Sequence, residues 1–242
     1  MSYGFKIIVE GDYACFTRPE LKVERVSYDV PTPGALEGLL KSIYWKNSIK
    51  YVIDKIVVYN PINFMNIRRN ELTNKTSYSN VRSSANGNYK EHITYTSKSR
   101  TQRASMILKD VKYGIEFHFE LTGLKNEHED ECEEKHYNII KRRLEKGQCF
   151  RTPCLGCSEY IAKKIYLTDD FNKNEISKEI LSKGDIDLGF MCYSMHFADE
   201  GKPINNDWQN PKFSDKATAI YYRPHLIDGV IDVRKYRKEI WW

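Results

Sequence analysis

The chain opens on alternation. Phe5, Ile7 and Val9 fall on one side of residues 3 to 10, which predicts a strand with one apolar face. The period then changes. Thr32 is a good N-cap and Pro33 a good first helical residue, and Leu36, Leu39, Leu40 and Ile43 recur at helical spacing. An amphipathic helix is therefore predicted over residues 33 to 45, with Tyr44 one turn after Leu40 at its C-terminal end. A β-rich run over 51 to 59 stops at Asn60-Pro61. Residues 70 to 90, rich in Asn, Ser, Thr and Gly, predict a long surface loop. A hairpin is expected next, from 93–96 through a turn near 97–100 into 103–108. Ile115, Phe117, Phe119 and Leu121 then alternate against Glu116, His118 and Glu120, a half-buried strand with a polar outer face. On that pattern His118 is a solvated strand residue rather than a catalyst.

A second helix is predicted over 134 to 146, with Gly147 as its stop and Tyr137, Ile140 and Leu144 as its apolar stripe. Its acid-first, base-last order suits the helix dipole, which by itself explains many of its charges. Up to about residue 166 the order is strand, helix, strand, further strands, helix, strand. That order fits an α+β fold, a ferredoxin-like βαββαβ unit of the RRM type. Two later β-rich runs, 188–197 and 217–233, predict a small antiparallel β-sheet in the C-terminal region. The expected division is thus 1–165 and 166–242, with no internal repeat and no low-complexity tract.

Composition narrows the partners. The 242 residues, 40% hydrophobic and 29% charged, suffice for a buried core. A mean hydropathy of −0.63 and the lack of a long apolar run exclude a membrane-spanning helix. The start runs directly into a strand pattern without a signal-peptide profile, so a cytoplasmic protein is expected. A net charge of +5 permits nucleic-acid binding without demanding it. Its distribution says more: acid gathers at 127–134, base at Arg68-Arg69, at 98–103 and at 141–146. Six cysteines include Cys154-Leu155-Gly156-Cys157, but no second CxxC or HxxxH pair completes a tetrahedral site. They are expected to be structural or incidental thiols, with no metal and no cofactor.

The candidate chemistry lies at Lys135-His136, which opens the second helix and leads to the basic run Lys141-Arg142-Arg143. An imidazole titrates near neutral pH, and a neighbouring ammonium stabilises charge on a phosphate ester. The block Ser42-Ile43-Tyr44-Trp45-Lys46 has a phenol to offer the same site. Taken singly, each residue has an ordinary explanation: Tyr44 packed on the core, His136 packed in its helix, Lys135 a solvated charge.

Longer blocks carry more information. Residues 11 to 20 and 27 to 33 combine with Ser42-Ile43-Tyr44-Trp45-Lys46, Asn66-Ile67-Arg68-Arg69-Asn70 and Lys135-His136-Tyr137. In this order they resemble the CRISPR-associated Cas-five family, in the d variant of subtype I-C systems, within the RAMP superfamily. The resemblance covers residues 1 to about 165, and the C-terminal part matches loosely, mainly by length and Arg223-Pro224. It implies an endoribonuclease that cuts the CRISPR repeat transcript at the base of the repeat hairpin. It further implies a protein that stays on the 5′ handle of the crRNA as a subunit of the type I-C surveillance complex. The family's tyrosine, lysine and histidine catalytic positions fall on Tyr44, Lys135 and His136. RNA brings its own nucleophile, the 2′-hydroxyl, so no metal is needed. Candidate RNA-binding residues are Arg68, Arg69, Lys98, Arg100 and Arg103 on strands or turns, and Lys22 and Arg25 in the matched loop. Arg142 and Arg143 are placed to flank the hairpin base, or else to form a solvated helix face. The expected partners are CRISPR repeat RNA and the other complex subunits, with double-stranded DNA left open and no membrane. The competing readings are a non-cleaving handle-binding scaffold and a metal-dependent nuclease, for which the acidic run supplies no compact carboxylate motif. A third is a plain RRM-like RNA-binding protein unconnected with CRISPR, against which the length of the matched blocks argues.

Overall fold

The computed structural model describes residues 4–21, 23–73, 76–88, 95–123, 132–199, 203–207, 210 and 212–240. In chain order its first elements are β1 (Gly4–Ala14), β2 (Arg25–Val26), α1 (Pro33–Ile43), β3 (Ile49–Val58) and β4 (Asn63–Leu72). They are followed by α2 (Tyr78–Ala85), β5 (Arg100–Leu121), α3 (Glu133–Lys146) and β6 (Lys164–Leu167). The C-terminal part holds α4 (Lys178–Lys183), β7 (Asp185–Asp187), β8 (Met191–Phe197), β9 (Ala217–Tyr222), β10 (His225–Ile227), β11 (Val230–Asp232) and α5 (Val233–Tyr236).

Nine of these strands form one sheet in the order β6-β1-β5-β3-β11-β10-β7, with β2 and β4 pairing β5 outside that path. The four strands β6, β1, β5 and β3 are mutually antiparallel neighbours. α1 connects β1 to β3 through the short β2, and α3 connects β5 to β6. A row of apolar side chains locks the register. Leu167 pairs Ile7, Ile7 pairs Ile115, Ile115 pairs Ile56, and Ile56 pairs Ile231. The four isoleucines of that row are fully buried. Slipping β1, β3, β5 or β11 by one residue towards the charged side would set Lys6, Lys55, Glu116 or Asp232 into this row, because side chains alternate along a strand. On the neighbouring row Lys6, Glu116, Lys55 and Asp232 pair in register, and Lys55 bonds Glu116 at 3.0 Å.

The helices form where their caps and stripes predict. The Thr32 hydroxyl accepts from Ala35 N–H at 3.2 Å, and Leu36, Leu39, Leu40 and Ile43 are buried. α1 ends two residues earlier than the predicted 45, because Tyr44 turns to an extended backbone (φ −149°, ψ 128°). The carbonyls left open there are taken by side chains: Tyr51 donates to Tyr44 C=O at 2.7 Å, and Arg143 donates to Ile43 C=O. α3 stops at Gly147, whose φ of +63° is the left-handed cap that a glycine adopts without penalty.

The middle of the chain departs from expectation. Residues 103–108 pair with β4, and positions 93 and 94 of the predicted hairpin lie outside the described residues. The segments read separately as 103–108 and 115–121 are one strand, β5. It runs on through Asp110, which takes a positive φ of 52° within the strand. The predicted loop over 70–90 contains the end of β4 and all of α2, no residue of which is buried, so it leaves no apolar stripe to read. The small C-terminal antiparallel sheet exists as β8–β9. The remaining short strands instead continue the main sheet, since β11 pairs with β3 and β10 pairs with both β11 and β7.

Candidate active site

The end of α1 and the first turn of α3 meet against β5. There the Tyr44 hydroxyl lies 3.0 Å from Nδ1 of His136, although the two residues are 92 apart in the chain. The other ring nitrogen, Nε2, lies 3.4 Å from the Ser48 hydroxyl. Phe119 of β5 closes over the imidazole edge-on, with ring centroids 6.2 Å apart. A neutral imidazole has one N–H and one lone pair, and a hydroxyl donates or accepts. Tyr44 and Ser48 therefore supply a hydrogen-bond partner to each nitrogen of His136 in either tautomer.

α3 explains why His136 points inward. His136, Ile140 and Leu144 are its buried residues, one turn apart, so the histidine occupies a core position on the apolar stripe. Tyr137 sits at the margin of that stripe and stacks on Phe5 at 4.8 Å. Burial is complete: His136 is 0% exposed and Tyr44 3%. The tyrosine is held by its surroundings, with its carbonyl bound to Tyr51 and its ring 5.1 Å from the Arg143 guanidinium. Burial pushes the Tyr51 phenol well above its usual range, so it remains a hydrogen-bond donor to that carbonyl. Beside Ile43 and Arg143 opens a cleft of about 470 Å³, which Lys163, Lys164 and Tyr166 also line.

Lys135 is half-buried in the first turn of α3, about 100° around the helix from His136. The structure thus brings Tyr44 and His136 into contact and places Lys135 on the adjoining helix position. Sequence reasoning missed Ser48, Tyr51 and Phe119. Ser48 and Tyr51 lie within the ordinary polar and β-rich stretch after α1, and neither carries a motif.

The expected RNA-binding residues fall into two groups. Arg25, Arg69 and Arg103 form one ion-pair network with Glu71 and Glu159. Arg25 bonds Glu159 at 2.7 Å, Arg69 bonds Glu71 at 2.9 Å and Glu159 at 3.2 Å, and Arg103 bonds Glu71 at 3.1 Å. Those arginines tie β2, β4, β5 and the segment after α3 together. Arg143 is likewise engaged, donating to Ile43 C=O. Arg68, Lys98, Arg100 and Arg142 face solvent, Lys98 resting 5.4 Å over the Tyr95 ring. Lys22 lies outside the described residues, as does the acidic run up to position 131.

His118 corrects its expectation. It is not a solvated strand residue: its side chain is 14% exposed and Nδ1 lies 2.6 Å from Asp54 Oδ2. Asp54 also receives Arg237 at 2.7 Å, which fastens the chain after α5 to β3. The bulge between Ile53 and Lys55 accounts for the change, because it displaces Asp54 from plain alternation and turns it towards His118.

Comparison with known proteins bears on this geometry. A family model described as CRISPR-associated protein (Cas_Cas5), of the Cas5d type, matches residues 5–234. A protein of Mannheimia succiniciproducens named CRISPR pre-crRNA endoribonuclease Cas5d is 40% identical over 240 residues, covering 99% of this chain and 98% of the relative. A protein of Thermus thermophilus with the same name is 36% identical, with 96% and 93% covered. A solved structure described as a CRISPR-associated protein aligns at a TM-score of 0.58 and 25% identity, covering 96% of this chain and 91% of the other. A functionally uncharacterized protein, SMU1763c from Streptococcus mutans, shares the fold at a TM-score of 0.57 and 24% identity, with 95% and 91% covered.

Proposed function

The chain belongs to the Cas5d family of CRISPR-associated proteins, and from that premise we propose that it cuts CRISPR repeat RNA without a metal and then holds the product. The relatives' names support pre-crRNA processing, and the observation that carries the chemistry is the 3.0 Å contact between Tyr44 and His136. The strand order β6-β1-β5-β3, with α1 and α3 as its connections, supports a ferredoxin-like βαββαβ core. All three proposed reacting residues precede position 165, so the boundary there is proposed as functional: chemistry before it, support after it.

In this mechanism the 2′-hydroxyl next to the scissile phosphate attacks phosphorus. His136 accepts the proton, relayed through the Tyr44 hydroxyl 3.0 Å from its Nδ1. Lys135 stabilises the charge that builds on a non-bridging phosphate oxygen. A proton returned to the leaving 5′-oxygen completes the step, giving a 2′,3′-cyclic phosphate and a 5′-hydroxyl. Arg68, Lys98, Arg100 and Arg142, which face solvent, supply phosphate contacts. After cutting, the protein stays on the 5′ handle as a subunit of the type I-C surveillance complex.

The complete burial of His136 favours a second reading, a scaffold that binds the handle and does not cut, with the histidine as a core residue. One experiment separates the two. Cognate repeat RNA, 5′-labelled, is incubated with the protein in excess EDTA, beside the same RNA carrying 2′-deoxyribose at the cleaved nucleotide. A single cut of the ribose substrate alone, ending in a cyclic phosphate, is expected. Cleavage of the deoxy substrate sinks the 2′-hydroxyl mechanism, and loss of cleavage in EDTA sinks metal independence. Tight binding without any cut establishes the scaffold.

A further inference from the structure

A pair of thiols lies apart from the RNA chemistry. Just beyond β1, Cys15 forms a parallel bridge with Gly156 in the segment after α3. Cys15 N–H donates to Leu155 C=O at 3.0 Å, and Cys157 N–H donates to Cys15 C=O at 3.2 Å. The approach leaves no room for a side chain between them. A Cβ on Gly156 would stand 1.9 Å from the Cys15 oxygen, and the φ of +87° independently favours glycine. This glycine lets Cys157 lie against Cys15.

The two side chains share one environment. The Thr17 hydroxyl is 3.6 Å from Cys15 Sγ and 3.4 Å from Cys157 Sγ, so one hydroxyl lies against both sulfurs. Cys15 is 1% exposed, whereas Cys157 is partly open to solvent. Arg25 hydrogen-bonds Glu159 at 2.7 Å, and its charge acts on Cys157. The neighbouring Cys15 thiol is the main cause holding the Cys157 thiol below its ordinary value, with Thr17 and the Arg25 charge adding to it against burial. The same contact, followed by burial, pushes Cys15 up. Cys154 is turned away, its thiol facing the Gly156 carbonyl at 3.7 Å. Among the described residues no group of three His, Cys, Asp or Glu gathers to hold a metal.

We propose that Cys157 and Cys15 form a peroxide-sensitive modification site, Cys157 being the attacking thiol and Cys15 the one that resolves it into a disulfide. The Cys157 thiolate attacks one oxygen of hydrogen peroxide, and the O–O bond breaks to give a sulfenic acid and hydroxide, which takes up the thiol's proton as water. Cys15 sulfur then attacks the sulfenic sulfur, the S–O bond breaks, and the leaving hydroxyl departs with the Cys15 proton as a second water. Two thiols are oxidised and one peroxide is reduced. The bond joins β1 to the segment carrying Glu159, and so reinforces the ion pairs of Arg25 and Arg69.

This inference does not depend on RNA cleavage, and its test needs no RNA. The native full chain is treated with dilute hydrogen peroxide, its remaining thiols are alkylated, and a non-reducing digest is mapped by mass spectrometry. The expected product is a peptide pair joined through Cys15 and Cys157, with the intact chain lighter by two hydrogens. Cys157→Ser should abolish the cross-link and leave Cys15 reduced. In Cys15→Ser, Cys157 should accumulate as a sulfenic acid captured by dimedone. Alkylation of Cys157 should reach half its maximal rate at a pH below that of an ordinary thiol. Cys157 bonded instead to Cys154, or oxidation confined to the exposed Cys132 and Cys149 while the pair stays reduced, overturns the proposal. The wild-type map decides this alone, even if a variant fails to fold.

Discussion

His118 and His136 lie on opposite sides of one strand and meet opposite partners. His118 belongs to β5, and Phe119, the next residue on the other face, covers His136. His118 faces a carboxylate, Asp54 at 2.6 Å, which Arg237 also holds. His136 lies between two hydroxyls, Tyr44 and Ser48. A carboxylate accepts hydrogen bonds only, so it fixes His118 as a donor in a charged tie between β5, β3 and the C-terminal chain. Hydroxyls accept or donate, so His136 can take up or release a proton without losing its partners. What sets His118 apart is that the carboxylate it meets is itself tied to Arg237, so the group serves to fasten β5, β3 and the C-terminal chain. Acid-base work is proposed for His136.

The largest effect tests that contrast directly. His136→Ala should lower single-turnover cleavage of repeat RNA by about 10²–10⁴-fold, the range for loss of a positioned acid or base. His118→Ala should leave the cleavage rate unchanged. Equal losses in both would end the distinction, and a loss in His118→Ala alone would exchange the roles. Next comes Tyr44→Phe, which keeps the ring under Arg143 and removes only the hydroxyl. A loss of about 10–10²-fold is expected, matching about 1–3 kcal/mol for a buried partner left unsatisfied. Wild-type activity in Tyr44→Phe would mean that the proton travels by another route.

Stability should show the reverse order. His118→Ala should lower the unfolding free energy by about 1–3 kcal/mol in urea titrations, since it strips a partner from the buried Asp54 carboxylate. Ser48→Ala should cost only about 1 kcal/mol, because its contact with Nε2 is long. The smallest effect separates the arginines. Arg68→Ala should reduce the slope of log affinity for RNA against log salt by about 1, as expected for one lost phosphate contact. Arg69→Ala should leave that slope unchanged and instead lower the melting midpoint, because Arg69 is bound to Glu71, Glu159 and Ser105. A shared loss of slope would show that RNA draws Arg69 out of its ion pairs.

Much of this was legible in one dimension. The apolar spacing of Leu36, Leu39, Leu40 and Ile43 and the Thr32 cap determined α1, and Gly147 determined the end of α3, because caps and stripes act over a few neighbouring residues. The family resemblance, carried by contiguous blocks, pointed to Tyr44, Lys135 and His136 before any contact was known. Tertiary structure alone decided the rest. It drew β4 onto β5, and it added β11, β10 and β7 to the main sheet. It also engaged Arg25, Arg69 and Arg103 with carboxylates distant in sequence. His136 shows the boundary most clearly. Its i, i+4, i+8 register with Ile140 and Leu144 was present in the sequence, but a histidine on an apolar stripe gives no sign of which hydroxyl will meet it. That hydroxyl comes from a residue 92 positions away, and only the packing of α1 and α3 against one sheet brings the two within 3.0 Å.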